Sequence, residues 1–165
     1  MAIPGYMFLC DDAGKKIDGS VTVKGREGSV ELVAYEHEVY IPTDGNTGKL
    51  TGTRVHRAYR LTKAKDKSTP ELYKALTSGK TLQTVTIKEY EIDSAGKEEE
   101  YFTTVMENVK VVSVKAKMLD IKVPEYEKHN HLEEVELRYE TIQWKYADGN
   151  IQHKDSWNER GGKAA

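Results

Sequence analysis

At 165 residues, the chain is long enough for one compact domain with its own core and too short for two ordinary ones. Hydrophobic residues make up 38% and charged residues 32%, a mixture that excludes disordered, fibrous and membrane-like classes. The 25 Lys+Arg and 27 Asp+Glu leave a formal charge of −2, so no net field draws nucleic acid or an anionic membrane surface.

Two further classes are excluded by local sequence. Cys10 is the single cysteine, so no internal disulfide can staple the fold. Met1 to Cys10 has no basic region and is cut by Pro4 and Gly5 before an apolar run develops, so no signal peptide is expected. No stretch reaches the roughly 18 uninterrupted apolar residues that a membrane-spanning helix needs.

Two-residue alternation dominates the chain and predicts a mainly β domain spanning residues 1–165. Tyr6 to Cys10 is a first short strand. Gly14 to Gly28 holds four glycines among charges around Ile17 and Val21-Thr22-Val23, a pattern of turns flanking a short strand. Val30 to Ile41 reads as the next strand, with Val33, Tyr35, His37 and Val39 on one face and Ala34, Glu36, Glu38 and Tyr40 on the other. Glu36 and Glu38 therefore point to water or into a polar channel. Pro42 to Thr53 is polar, rich in glycine and apolar only at Leu50, which predicts a long flexible loop. An inert surface excursion and a contact-making role both fit it. Val55 to Leu61 is a third strand.

Ser68-Thr69-Pro70-Glu71 is the clearest helix start: Ser68 and Glu71 have capping-box spacing, and Pro70 suits a first turn that needs no N–H donor. Leu72, Ala75 and Leu76 form one apolar stripe, and Gly79 suits the position just past the helix. Leu82 to Ile92, Glu99 to Met106 and Val109 to Ile121 follow as strands, the first two joined by a hairpin turn at Asp93-Ser94-Ala95-Gly96. Along Leu132 to Tyr146 the inward set Val135, Leu137 and Tyr139 gives way to Ile142, Trp144 and Tyr146 in the opposite phase, which predicts a bulge near Glu140 to Ile142. Asp148-Gly149-Asn150 turns the chain back into Ile151 to Trp157, and residues 158–165 read as a flexible tail.

Catalytic motifs are imitated and not completed. Ser78-Gly79-Lys80-Thr81 resembles the end of a phosphate-binding loop, but Lys74 stands where that motif requires glycine. His129-Asn130-His131 lies in a polar loop without the ββα context of a nuclease, and no third ligand at recognisable spacing completes a metal set with His129 and His131. No Gly-x-Ser-x-Gly elbow occurs, and Cys10 sits in an apolar strand where a thiol serves as packing. Glu98-Glu99-Glu100 and Glu133-Glu134 read as solvated faces, and Tyr126, Tyr139, Trp144, Tyr146 and Trp157 as core or interface aromatics. No cofactor or metal is expected, and the chain reads as a protein that is not an enzyme.

Several segments in this order and spacing resemble one family: Lys67-Ser68-Thr69-Pro70-Glu71-Leu72 with Ser78-Gly79-Lys80, Met106-Glu107-Asn108-Val109 leading into a strand, and His131 to Leu137 with Ile142 to Tyr146. From about Tyr6 to Trp157 the chain is similar to the haemolysin-coregulated protein (Hcp) family of type VI secretion. The resemblance implies a β-barrel of two antiparallel sheets with one flanking helix. It further implies a homohexameric ring, head-to-tail stacking of rings into the inner tube of a contractile injector, effector proteins held in the lumen, and contacts with spike and sheath components. Assembly in the cytoplasm followed by export without a signal peptide goes with that role. A tail-tube protein of a phage or phage-derived particle is the alternative, and a Glu- or His-based enzyme would need a pocket of substrate size. By the same resemblance Glu36 and Glu38 are candidate lumen residues. Thr43, Asp44, Gly45, Asn46, Thr47, Gly48, Lys49, Leu50, Thr51 and Gly52 are candidates for contact between stacked rings. An extra toxin domain carried by some relatives after the barrel has no counterpart after Trp157.

Overall fold

The computed structural model describes residues 3–159, so the expected tail from 160 onward lies outside the described residues. Eleven strands and one α-helix follow in the order β1 (Gly5–Cys10), β2 (Lys16–Ile17), β3 (Val30–Glu36), β4 (Val39–Tyr40), β5 (Val55–His56), β6 (Tyr59–Ala64), α1 (Thr69–Ser78), β7 (Thr81–Ile92), β8 (Glu98–Lys117), β9 (Leu132–Arg138), β10 (Thr141–Tyr146) and β11 (Ile151–Ser156). The main sheet runs β11-β10-β8-β7-β1-β3-β6-β9, and β9 returns to pair with the far half of β8. Strands β8, β7, β1, β3, β6 and β9 thereby close a barrel, so none of these six is an open edge, while β10 and β11 extend the sheet beyond it. The barrel with one flanking helix is the architecture expected from the sequence, made here from one continuous sheet plus a separate β4–β5 ribbon.

Closure depends on β8. Its 20 residues pair with β7 and β10 along the first half and with β9 along the second. The sequence divides this segment into two strands because its apolar alternation resets: Met106 is buried, and the next buried positions are Val109 and Val111. The reset lies at Asn108, whose φ of 51° is the left-handed conformation that asparagine tolerates better than most residues. The opposing strand reverses phase at the same level, from Leu137 and Tyr139 to Ile142. The expected bulge there is absent, because Arg138↔Lys110 and Thr141↔Glu107 are each separated by the same number of residues on both strands. Both strands turn a shared corner, stapled by Asn108 Nδ2 donating to Glu140 Oε2 at 2.8 Å, and β10 leaves the barrel there.

Met7, Leu9, Val85, Ile87, Met106, Val109, Val135, Leu137 and Ile142 fill the interior with almost no exposed surface. Helix α1 lays Leu72 and Ala75 onto this core with Leu76 partly buried, and burial of Leu72 alone contributes about 2 kcal/mol. Gly79 takes φ 68° and closes the helix by donating to the Leu76 carbonyl, as its position predicts. The helix start differs from expectation. Ser68 has helical dihedrals and makes no side-chain cap; its hydroxyl instead donates to Asp66 Oδ1, which also accepts the Ser68 N–H at 2.9 Å. Asp66 outcompetes the helix amides because its carboxylate also faces the Lys63 ammonium at 3.1 Å.

Two other predicted strands are divided. Val55 to Leu61 becomes β5 and β6. Val30 to Ile41 breaks after Glu36, with a register irregularity between Leu32 and Ala34, and Val39-Tyr40 pairs separately with Val55-His56. The single shared face expected for Val33, Tyr35, His37 and Val39 does not form: Val33, Tyr35 and Val39 are all exposed, His37 is half-buried, and Val39 has moved to the separate ribbon.

Candidate functional site

Residues 42–53 grow out of the β4–β5 ribbon as a structured finger, where the sequence predicts a flexible loop. Thr43 and Leu50 pair across its stem, Asp44 N–H donates to the Lys49 carbonyl at 2.8 Å, and Thr51 N–H donates to the Pro42 carbonyl at 2.9 Å. Asp44 Oδ1 accepts from the amides of Asn46 and Thr47, at 2.7 and 3.2 Å, which folds the tip into an Asx-type turn. Gly48 sits at φ 69°, a conformation that suits glycine. On this stem Lys49 and Leu50 are exposed, Leu50 with 67% of its surface open to solvent.

Glu36 and Glu38 lie beside the ribbon and are both exposed. Glu36 ends β3 opposite Arg60, and Arg60 Nε reaches Glu136 Oε1 at 3.1 Å, so acid and base alternate across β3, β6 and β9. Glu38 Oε2 pairs with Arg57 Nε at 3.0 Å. These residues line one charged groove together with His37, Ala58 and Arg138. Neighbouring Ala34, Tyr35, Thr62 and Glu134 extend it over the outer face of the barrel.

The foot of the finger is fixed by a chain of side chains from separate elements. Arg54 donates from Nε and Nη2 to the two carboxylate oxygens of Asp155 at 2.5 and 2.8 Å, and from Nη2 to the carbonyls of Ser156 and Glu159 at 2.9 Å each. Asp155 Oδ2 lies 2.7 Å from His56 Nε2, His56 Nδ1 lies 2.5 Å from Tyr139 Oη, and the same hydroxyl lies 2.8 Å from His37 Nε2. His56 and Tyr139 are buried. Burial, followed by the charge of His56, pushes His37 down to about 4. Burial and then the Asp155 charge raise Tyr139 above the usual phenol range. For Asp155, burial works upward but the hydrogen bonds from Arg54 and His56 prevail and hold the carboxyl below its ordinary value.

The sequence singles out the finger and the two glutamates as candidates and gives no sign of this chain. Its members are spread from His37 to Asp155, and neither spacing nor composition joins them. The one local signal is a polar histidine, His56, inside an otherwise strand-like segment. His129 and His131 are exposed, and the described residues contain no group of three side chains suited to a metal. Among the described residues no helix is long and apolar enough to cross a membrane.

Known proteins share this architecture. The sequence profile of a family described as "Type VI secretion system effector, Hcp" matches residues 6–146. The "Major exported protein" of Pseudomonas aeruginosa is 36% identical over 166 residues, covering 95% of this chain and 96% of that protein. The solved Hcp1 protein of E. coli EAEC 042 superposes with a TM-score of 0.87 at 58% identity, covering 94% of this chain and 99% of that one. The secreted protein Hcp3 of Pseudomonas aeruginosa superposes with a TM-score of 0.76 at 32% identity, again over 94% and 99% of the two chains. A profile matched from the first barrel strand to β10, together with full-length likeness in sequence and fold, places the chain in the Hcp family of type VI secretion proteins.

Proposed function

We propose that the protein is the tube subunit of a type VI secretion system: a structural element that closes into a homohexameric ring, stacks head to tail, carries effector proteins in the lumen and is exported with them. The observation that carries this reading is the near-complete structural likeness to the Hcp1 protein at 58% identity. It acts by assembly and burial and breaks no bond. The exported character of the Pseudomonas aeruginosa relative supports passage out of the cell.

In this reading residues 43–52 reach the adjacent ring. An ordered stem with an exposed Lys49-Leu50 shoulder supports that role, because a finger held in shape before contact loses little entropy on docking. Glu36 and Glu38 belong to the lumen wall, where Glu38 paired with Arg57 and Glu36 opposite Arg60 give cargo a polar surface of mixed charge. Spike and sheath proteins of the machine are the other partners. A phage tail-tube role shares the ring architecture, and the match to the secretion family favours the first reading. Electron microscopy of the purified protein tests it: rings with an open centre, joining into stacks at high concentration, are expected, and solitary particles at every concentration would count against it.

A further inference from the structure

The Arg54–Asp155–His56–Tyr139–His37 chain ties the finger foot to β11, and none of its five residues lies on a strand of the closed barrel. We propose that it is a proton-operated latch, closed while at most one of its two imidazoles is charged and open when both are, and that it governs how firmly the finger is held. The assembly consequence rests on the reading of the finger as the ring-stacking element; the latch itself does not.

Proton counting gives the rule. Ionised Asp155 only accepts, so His56 must present Nε2–H to it. With both rings neutral, His37 Nε2–H donates to Tyr139 Oη, the Tyr139 hydroxyl donates to His56 Nδ1, and every member is satisfied. One added proton is tolerated. On His37 it leaves the order unchanged; on His56 the new Nδ1–H donates to Tyr139, whose own proton turns to His37 Nε2. A second proton is not tolerated, because two N–H groups then converge on one hydroxyl oxygen and the hydroxyl proton has no acceptor in the chain. His56 and Tyr139 are almost fully buried, so water cannot relieve the conflict.

The surroundings sharpen it. Around His37 stand Glu36 and Glu38 from its own connection, Arg57, Tyr59 and Arg60 from β5–β6, Glu136 and Arg138 from β9, Trp144 from β10 and His56 from β5. Around His56 stand Asp155, Tyr139, His37 and Trp157, with Arg138 Nη1 donating to the His56 carbonyl at 2.8 Å. Arg54 and Arg138 already place two fixed cations against this cluster, and Asp155 is committed to Arg54. A doubly charged imidazole pair therefore parts from Tyr139, where its two N–H groups converge, and the ribbon that carries His56 and adjoins His37 loses its seat on that side chain. That release frees the foot of the finger while the barrel core stays closed.

Amide hydrogen exchange, expressed as protection factors from pH 7 to pH 3.5, tests the latch in the full chain. Thr51 and Arg57 report on finger and ribbon, and Val85 and Met106 report on the barrel. Protection at Thr51 and Arg57 is expected to fall at least tenfold as pH drops through about 4, reversibly, with the barrel amides unchanged. His37→Phe keeps the ring stacked on Tyr59 without a titrating nitrogen, and His37→Gln serves where that variant folds poorly; each is expected to hold finger protection within twofold over the same range. An identical pH profile in wild type and variants, or simultaneous opening of barrel and finger, would overturn the proposal. Stack length by electron microscopy separates the two readings: acid opening of the finger with stacks unchanged supports the latch and removes the stacking role from the finger.

Discussion

Lys63 and Glu133 face each other across β6 and β9 as an ion pair in which neither side chain has any exposed surface. Lys63 Nζ also donates to the Ala64 carbonyl at 3.1 Å and to Thr69 Oγ1 at 3.3 Å, and Thr69 donates to Glu133 Oε1 at 2.8 Å. The barrel interior is thereby joined to the first turn of α1. Glu133 Oε2 has no partner among the described residues, so the pair is imperfectly satisfied.

Removing one half of this pair strands a buried charge. Glu133→Leu or Lys63→Met alone is expected to cost about 3–5 kcal/mol in urea denaturation. The double variant should recover most of that loss, since apolar replacement of a whole buried pair is often neutral. Equal losses in single and double variants would show that the charges themselves hold the helix in place.

Asp66, not Ser68, organises the start of α1. It accepts from the Ser68 amide and hydroxyl and faces Lys63. Asp66→Ala should therefore lower stability by about 2–3 kcal/mol, against about 1 kcal/mol for Ser68→Ala. Thermal midpoints compare them, and a larger loss for Ser68→Ala would restore the capping role that its sequence position suggests.

At the corner where β10 leaves the barrel, Asn108→Ala places a less tolerant residue at φ 51° and should cost about 1–2 kcal/mol. Asn108→Gly should cost less, because it relieves the conformation and loses only the bond to Glu140. The reverse order in chemical denaturation would show that this hydrogen bond matters more than the backbone.

Stability should also fall with acid through His37. Its folded value of about 4 lies below the ordinary imidazole value of 6.5, so the unfolded chain binds the proton more readily. The stabilisation is fully present above about 6.5 and is lost progressively as pH falls toward about 4. His37→Phe should flatten this part of the curve of unfolding free energy against pH. Parallel curves for the two proteins would show that the ring does not titrate in this window.

Where sequence and structure agree, local chemistry decides the outcome. Gly79 ends its helix, Gly96 at φ 78° turns the β7–β8 hairpin with Asp93, and alternation places Val135, Leu137 and Ile142 inside. Where they part, a distant partner decides. Ser68 caps nothing because Asp66 has Lys63 to answer, and β8 runs unbroken through a phase reset because Asn108 and the opposing Glu140 turn together. Among the site residues, the finger is legible from composition, but its internal pairing is not, since Thr43 and Leu50 carry no strand signal. The histidine chain is illegible because only tertiary packing of the ribbon, β11 and the turn after β9 brings its members together.

Shortening the finger separates folding from assembly. Replacing Gly45 to Gly52 with a short Gly-Ser link should leave a folded ring, because loop closure depends weakly on length, yet abolish stacking and the export that depends on it. Stacks as long as those of the parent would remove the finger from the ring interface, and collapse to monomer would place it within the ring.

Native mass spectrometry at micromolar concentration addresses the tube assignment most directly. The expected result is one dominant species at the mass of a closed hexamer of the 18.7 kDa chain, with multiples of that species as concentration rises. A spectrum holding only the 18.7 kDa monomer, or a dimer that never closes, would contradict it.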